Sequence, residues 1–378
     1  MATRLRPLIA QRSTDAPQTG EAWSRYHQLV TQKPHVTRTL PIKAPGPNGE
    51  KGVILTYFEY NWLRLLRGIA DYASFSRRWS VIFCSSWSPT DYSLVARAIA
   101  MTDGPVYVQP CNFAEAPKLK RFHPKVKAVP GMPCDWLCPE HFSPLPWSER
   151  DVDLLIVSNW APFKRHWELF ETLRRMPANL KVVCIGQPEL GHTLAGIKKL
   201  QEAFQVPQQI EYVESIPIDQ VTQYQCRAKI ALIFSRWEGC CVAAAEALFA
   251  GAVLAMRKDA YVGPKSYINS QTGILLEPGR AHEQLMEALR TGEKYRSRAW
   301  AEANISCYQT NAKLSAMLEE DAREAGQPWT IPTIVPCWRP YPRICHAADA
   351  PLIQAACAEL HQNYPNVFPA DLQESSWR

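Results

Sequence analysis

Hydrophobic positions along this 378-residue chain follow two alternating periods. Short runs of β-branched, aromatic and aliphatic residues read as strands. Between them lie stretches in which apolar residues return every three or four positions, the spacing of one helix face. Val53–Phe58 is the first such strand, and Leu63, Leu66, Ile69 and Ala70 follow at helical spacing. Trp79–Cys84 is the second strand. Ser88-Pro-Thr-Asp91 then carries the marks of a helix start: a capping Ser, Pro at the first helical position and an acid at the third. That helix continues through Leu94, Val95, Ala98 and Ile99, and Gly104–Val108 is the third strand.

The alternation resumes after residue 146. Leu154–Val157, Leu180–Ile185, Ile210–Val213, Ile230–Ser235 and Val253–Met256 read as strands. Helical spacing covers 165–176, 193–204, 218–227, 241–249, 281–291 and 295–318. Strands that alternate with helices predict parallel sheets. Five prolines between 130 and 146 mark a linker between the two series. The expected fold class is therefore α/β, with two Rossmann-like domains whose parallel sheets face a cleft. The expected boundaries are an N-terminal extension over 1–50, a first domain over 51–145, a second over 146–320 and a Pro-rich tail over 321–378 that packs back on the first.

Composition narrows the function classes. Hydrophobic residues make up 46% and charged residues 21%, which is ordinary for a globular protein. Residues 1–145 hold 18 Lys and Arg against 10 Asp and Glu, whereas the remainder holds 24 against 26. A basic first half suits an anionic acceptor or peripheral contact with a membrane surface. Neither half carries GxGxxG or a P-loop, which disfavours nicotinamide enzymes and P-loop ATPases. The first residues lack the apolar core of a secretory signal, so the twelve cysteines are expected to be free thiols in the cytoplasm. Cys134 and Cys138, with His141 nearby, have no second pair in sequence, and no metal is expected. Asp151-Val-Asp153 has the spacing of a metal-binding DxD but opens a strand.

The chemistry concentrates in Ser235–Gly251, at the end of a strand and the start of a helix. Gly239 lets backbone approach a ligand closely. The N–H groups around Cys240, Cys241, Val242 and Ala243 form an anion site suited to a diphosphate. Glu246 sits among Ala243, Ala244, Ala245, Ala247 and Leu248, where an unpartnered carboxylate is costly. Glu238 precedes the helix and is expected on the cleft floor.

Glu238 and Glu246 are separated by seven residues, and the stretch resembles the E-x7-E motif of family 4 retaining glycosyltransferases, the GT-B glycosyl transferases group 1. Glu246-Ala-Leu-Phe-Ala-Gly251, Ile268–Leu276 and the linker Val129–Pro144 are similar to that family's pattern in the same order. The resemblance implies transfer of a sugar from a nucleotide-sugar donor to a glycan, lipid or other acceptor, with retention and without a metal or other cofactor. It implies that Glu238 holds the transferred sugar, Glu246 the ribose, and Lys164, with Arg165, the leaving diphosphate. Asn159 stands where the family has an arginine. On the acceptor side, Asn112 and the basic run Lys118, Lys120 and Arg121 are the candidates. The competing readings are a GT-B protein that binds nucleotide sugars without turnover, and a phosphorylase or epimerase on the same fold.

Overall fold

The computed structural model describes residues 29–372. The first 28 residues of the expected extension and the last six of the expected tail lie outside them. The first sheet contains β1 (Thr39–Lys43), β2 (Gly52–Tyr57), β3 (Trp79–Cys84), β4 (Val106–Gln109) and β5 (Val126–Ala128), in that spatial order. β1 pairs antiparallel with β2, and the other pairs are parallel. The connections carry α1 (Glu59–Gly68) and α2 (Tyr72–Arg78), then α3 (Tyr92–Met101), then α4 (Ala116–Phe122).

Each parallel strand is laid on the same side of its predecessor. Right-handed crossovers therefore put α1 to α4 on one face, where Trp62, Phe75, Leu94 and Leu119 share a core. The other face would be bare. It is covered by C-terminal elements: α11 (Cys307–Glu324), the hairpin β12 (Pro336–Trp338) and β13 (Pro342–Ile344), and Trp136 of the linker. α12 (Ala350–Asn363) and the residues after it pack on the α1–α2 side, with Leu360, Phe368 and Leu372 in that core.

The second sheet has the order β11-β10-β9-β6-β7-β8, and every pair is parallel. Its strands are β6 (Val152–Val157), β7 (Val182–Gly186), β8 (Ile210–Glu214), β9 (Ala228–Ile233), β10 (Val253–Arg257) and β11 (Gly273–Leu276). The connecting helices are α5 (His166–Leu173), α6 (Leu194–Phe204), α7 (Ile218–Arg227), α8 (Val242–Phe249) and α9 (Ala281–Thr291). Apolar cores lie on both faces of this sheet.

The helix expected over 295–318 is two. α10 (Ser297–Asn304) stops, and Ser306 caps α11 by accepting from the Gln309 N–H at 3.3 Å. The chain returns to the first domain across this break, so a continuous helix would miss the second crossing. The cap of α3 is also displaced from its expected place. Asp91 accepts from the Ser93 and Leu94 N–H groups, whereas the Ser88 hydroxyl donates to the buried Glu115. Among the described residues no helix is long and apolar enough to cross a membrane.

Lys43 and Glu50, both with fully buried side chains, pair at 2.7 Å beside the β1–β2 turn. Glu50 also accepts from the Thr330 and Ile331 N–H groups, which fixes the chain between α11 and the hairpin. Phe368 is fully buried beside Phe75, so Phe368→Ala should lower stability by about 3–5 kcal/mol through cavity formation. Denaturant unfolding checks this, and an unchanged midpoint would show that the C-terminal segment adds nothing to the first domain.

Candidate functional site

The second sheet reverses its strand order at β6: β7 and β8 lie on one side, β9, β10 and β11 on the other. The loops leaving the C-terminal ends of β6 and β9 diverge and open a crevice, where open parallel sheets bind ligands. Lys164 sits in the first loop and Glu238 in the second. Lys164 Nζ lies 2.8 Å from Glu238 Oε2. The lysine is positioned by a short turn over Pro162–Lys164, after which Arg165 takes a left-handed φ of 58° to enter α5. Burial alone would lower the Lys164 pKa, but the Glu238 carboxylate raises it above the ordinary lysine value. The other carboxylate oxygen, Glu238 Oε1, is buried and has no hydrogen-bond partner among the described residues.

Glu246 has a separate partner. It is buried in α8, and the Gln225 side-chain amide of α7 donates to its Oε2 at 2.9 Å. Burial raises its pKa, against the opposing Gln225 hydrogen bond. Gln225 Oε1 is also buried without a partner among the described residues. Cys241 takes a left-handed φ of 36° as the cap of α8, whose first residues, Val242 and Ala243, are half-buried. Cys240 turns away from the crevice into a core with Cys111 and Cys134.

The first domain presses directly on this loop. A Cβ built on Gly239 would lie 2.1 Å from the Ser86 carbonyl oxygen, and one on Gly263 would lie 1.8 Å from that of Cys111. Two buried carboxylates hold the first-domain loop from behind. Glu59 accepts from the Ser86 N–H at 2.9 Å, and Glu115 accepts from the Thr90 N–H at 2.7 Å. The Trp237 indole N–H donates to the Ser88 carbonyl at 2.6 Å, which ties the two domains across the seam. Trp87 stands edge-on to Phe163, and Trp237 packs on Tyr261. Trp87 and Trp237 remain 42% and 48% exposed, so a ring face is open to a ligand at the mouth of the seam.

Arg165 is engaged in its own domain, through Glu168 at 2.9 Å and with its guanidinium over Trp167. Burial, then the neighbouring Arg257 and Arg236, lower its pKa to about 10. Arg257 binds Glu168 and Asp259, and the exposed Arg236 lies 3.6 Å from Asp259. Asn159 accepts from the Ala161 N–H at 3.3 Å and so shapes its own loop. Asn112 caps a turn by accepting from the Ala114 N–H, and Lys118, Lys120 and Arg121 are exposed on α4. Asp151 pairs with Lys181 and Arg227, and Asp153 with Lys229.

Sequence reasoning did not single out Trp87, Trp237, Arg236 or Arg257. Arg236 and Trp237 directly precede Glu238 at the end of β9, a position that could have flagged them. Trp87 follows β3 in a run of serines, and nothing local marks it as a seam residue.

Residues 139–304 match the model of the family described as glycosyl transferases group 1. By sequence, no curated protein is significantly similar to this chain. The structure is similar to sucrose-phosphate synthase from Thermosynechococcus elongatus, with a TM-score of 0.55 and 14% identity over 72% of this chain and 74% of that one. It is similar to Anabaena HepE in complex with UDP and glucose, with a TM-score of 0.54 and 15% identity over 70% and 78%. It is also similar to TarM of S. aureus, with a TM-score of 0.51 and 12% identity over 74% and 64%. The α/β fold with its parallel sheets is that of the GT-B glycosyltransferases.

His166 opens α5 beside this site, and its Nε2 lies 3.3 Å from the Ser158 hydroxyl. Burial, then the nearby Lys164 charge, lower its pKa to about 4. The unfolded chain takes up this proton first, near the ordinary histidine value of about 6.5, so folding stability is full above that pH and falls between about 6.5 and about 4. The loss attributable to His166 is roughly 3 kcal/mol. Thermal unfolding from pH 7 to pH 4 should therefore show a shallower acid decline in His166→Phe than in the parent chain. Parallel curves would remove His166 from this account.

Proposed function

We propose that this chain is a glycosyltransferase that moves a sugar from a nucleoside diphosphate donor to an acceptor hydroxyl, with retention at the anomeric carbon. The observation that carries the reading is Glu238. One of its oxygens is fixed by Lys164, and the other is buried without a partner among the described residues, at the switch point of a parallel sheet. A carboxylate oxygen accepts only, and a sugar hydroxyl is the donor it lacks. The match of the second half to the group 1 family supports the reaction class. The UDP held by HepE supports a uridine donor.

In this reading the first turn of α8 and Lys164 receive the diphosphate, with Arg236 as the nearby mobile cation. The bond between the anomeric carbon and the β-phosphate oxygen breaks, and the electron pair leaves on the phosphate. The acceptor oxygen bonds to the same face of that carbon, and its proton passes to the departing phosphate oxygen. Glu246, with the unpartnered Gln225 Oε1 beside it, takes the ribose hydroxyls. The first domain brings the acceptor, with Trp87 and Trp237 flanking the entrance and the exposed Lys118, Lys120 and Arg121 favouring an anionic one. The same basic surface suits peripheral contact with the inner face of a membrane in the cytoplasm. Charge stabilisation is assigned to these side chains and helix N–H groups, without a cofactor.

A second reading is binding without turnover. Two observations favour it: Asn159 in the family's arginine position, and the Ser86–Trp87 backbone seated on Gly239. Nucleotide release from a panel of UDP-, GDP- and ADP-sugars separates the two. The parent chain should turn over at least one, and Glu238→Gln should slow it by roughly 100-fold or more. Nucleoside diphosphate affinity should change only a few-fold in that variant. Binding with no turnover by the parent chain would favour the second reading, and no binding of any nucleotide sugar would sink both.

A further inference from the structure

Three of the twelve cysteines meet at a point that the proposed reaction does not use, and a fourth lies beside them. Cys138 lies on the first passage between the domains, and Cys307 opens α11 on the return passage. Cys337 lies in β12 and Cys345 directly follows β13, so the hairpin carries a Cys-x7-Cys pair. The sulfurs of Cys138, Cys307 and Cys345 all lie within 4.8 Å of one another. Cys345 Sγ is 3.5 Å from Cys138 Sγ and 3.9 Å from Cys307 Sγ. Cys337, paired with Arg343 across the hairpin, is next to Cys345 but outside this 4.8 Å group, and would complete the set as the fourth sulfur.

We propose that Cys138, Cys307, Cys337 and Cys345 form a structural zinc site that fastens the C-terminal hairpin to both passages between the domains. Zinc holds thiolate sulfurs at about 2.3 Å in a tetrahedron, which sets neighbouring sulfurs about 3.8 Å apart. The two short separations bracket that value. An iron–sulfur cluster interposes its own sulfides and spreads the cysteines further. A disulfide joins sulfurs in pairs and gives no reason for three to converge.

The surroundings carry charges of both signs, and the Cys138 thiol, which donates to Glu140 Oε2 at 2.8 Å, would give up that bond on ligation. Each thiol gives up its proton on ligation. Cys307 occupies the first turn of an 18-residue helix, where the dipole favours negative charge. Arg343 stands near Cys337 with the opposite charge. The linker and α11 are already joined by the Cys307 N–H donating to the Leu137 carbonyl at 2.9 Å.

The site would also set the position of two residues that face the seam. Trp338, next to Cys337, packs on Tyr57 with ring centroids 4.9 Å apart. Arg339 reaches Asp219 of α7, in the neighbourhood of Glu246. The proposal rests on sulfur geometry and stands independently of the transfer reaction.

The test is elemental analysis of the full chain purified without added metal, which should return about one zinc per chain. Cobalt reconstitution of the parent protein should give a thiolate-to-cobalt charge-transfer band, a readout that needs no variant. Cys138→Ser and Cys345→Ser should lose the metal, whereas Cys357→Ser, outside the cluster, should keep it. Stripping the zinc should lower the thermal midpoint, because the ion binds only the folded arrangement. Any of four results would overturn the proposal: a metal-free protein with no cobalt band, stoichiometric iron with sulfide, a disulfide-linked peptide joining two of the four cysteines, or a full zinc equivalent retained in Cys345→Ser. A full equivalent retained in Cys337→Ser would overturn the four-sulfur assignment.

Discussion

The two domains meet backbone to backbone, and the rest of the site depends on that contact. At Gly239 and at Gly263 a methyl group would strike a carbonyl of the opposing domain. The two glycines are themselves linked, since the Gly263 N–H donates to the Gly239 carbonyl at 3.3 Å. Around them Cys111, Met132 and Cys134 of the first domain share a core with Ala244, Ala245 and Leu248 of α8. The seam is therefore a packed apolar interface with a polar rim. Asp135 sits buried in it, accepting from the Met132 N–H and the Tyr267 hydroxyl. Burial, against those hydrogen bonds, raises its pKa to about 7.

Legibility in the sequence followed burial. The central strands of the second sheet are covered on both faces, so they read as continuous apolar runs and were found at nearly the right bounds. β1, β5, β11, β12 and β13 were not found. They are short and lie at a sheet edge or in a two-stranded hairpin, and β1, β12 and β13 contain Pro41, Pro336 and Pro342, residues that argue against a central strand. The first domain departs from the expected pattern for a topological reason. Its strands are laid down in one direction, so its own helices cover one face only, and the covering of the other comes from more than 170 positions later, beyond any local signal.

The candidate site divides along the same line. Lys164 and Glu238 are marked by their places after strands, and the parallel sheet brings them together. The cap of α3 had two plausible candidates within four residues, and a distant carboxylate, Glu115, decided between them by engaging Ser88. Cys134 and Cys138 look like one pair in sequence, but they flank a turn and point to different cores. Cys134 joins Cys111 and Cys240 at the seam, while Cys138 meets Cys307 and Cys345. Spacing alone could not show this, because the partners come from an approach of chain segments about 170 and 207 positions away.

Asn159, which stands where the resembled family has an arginine, leaves the charge near the proposed donor site to the adjacent strands. Asn159 is occupied with its own loop, and the cations near the crevice come from the ends of β6, β9 and β10 instead: Arg165, Arg236 and Arg257. They are not equivalent. The Arg257 side chain is 8% exposed and binds both Glu168 and Asp259, so moving it would break two ion pairs at once. Arg165 shares Glu168 and stacks on Trp167. Arg236 is 67% exposed, and its acid is 3.6 Å away and already held by Arg257. It can swing to an incoming phosphate at little cost, because an exposed ion pair of this kind is worth about 1 kcal/mol or less. The second-domain crevice thus keeps one mobile cation beside a fixed Lys164–Glu238 pair.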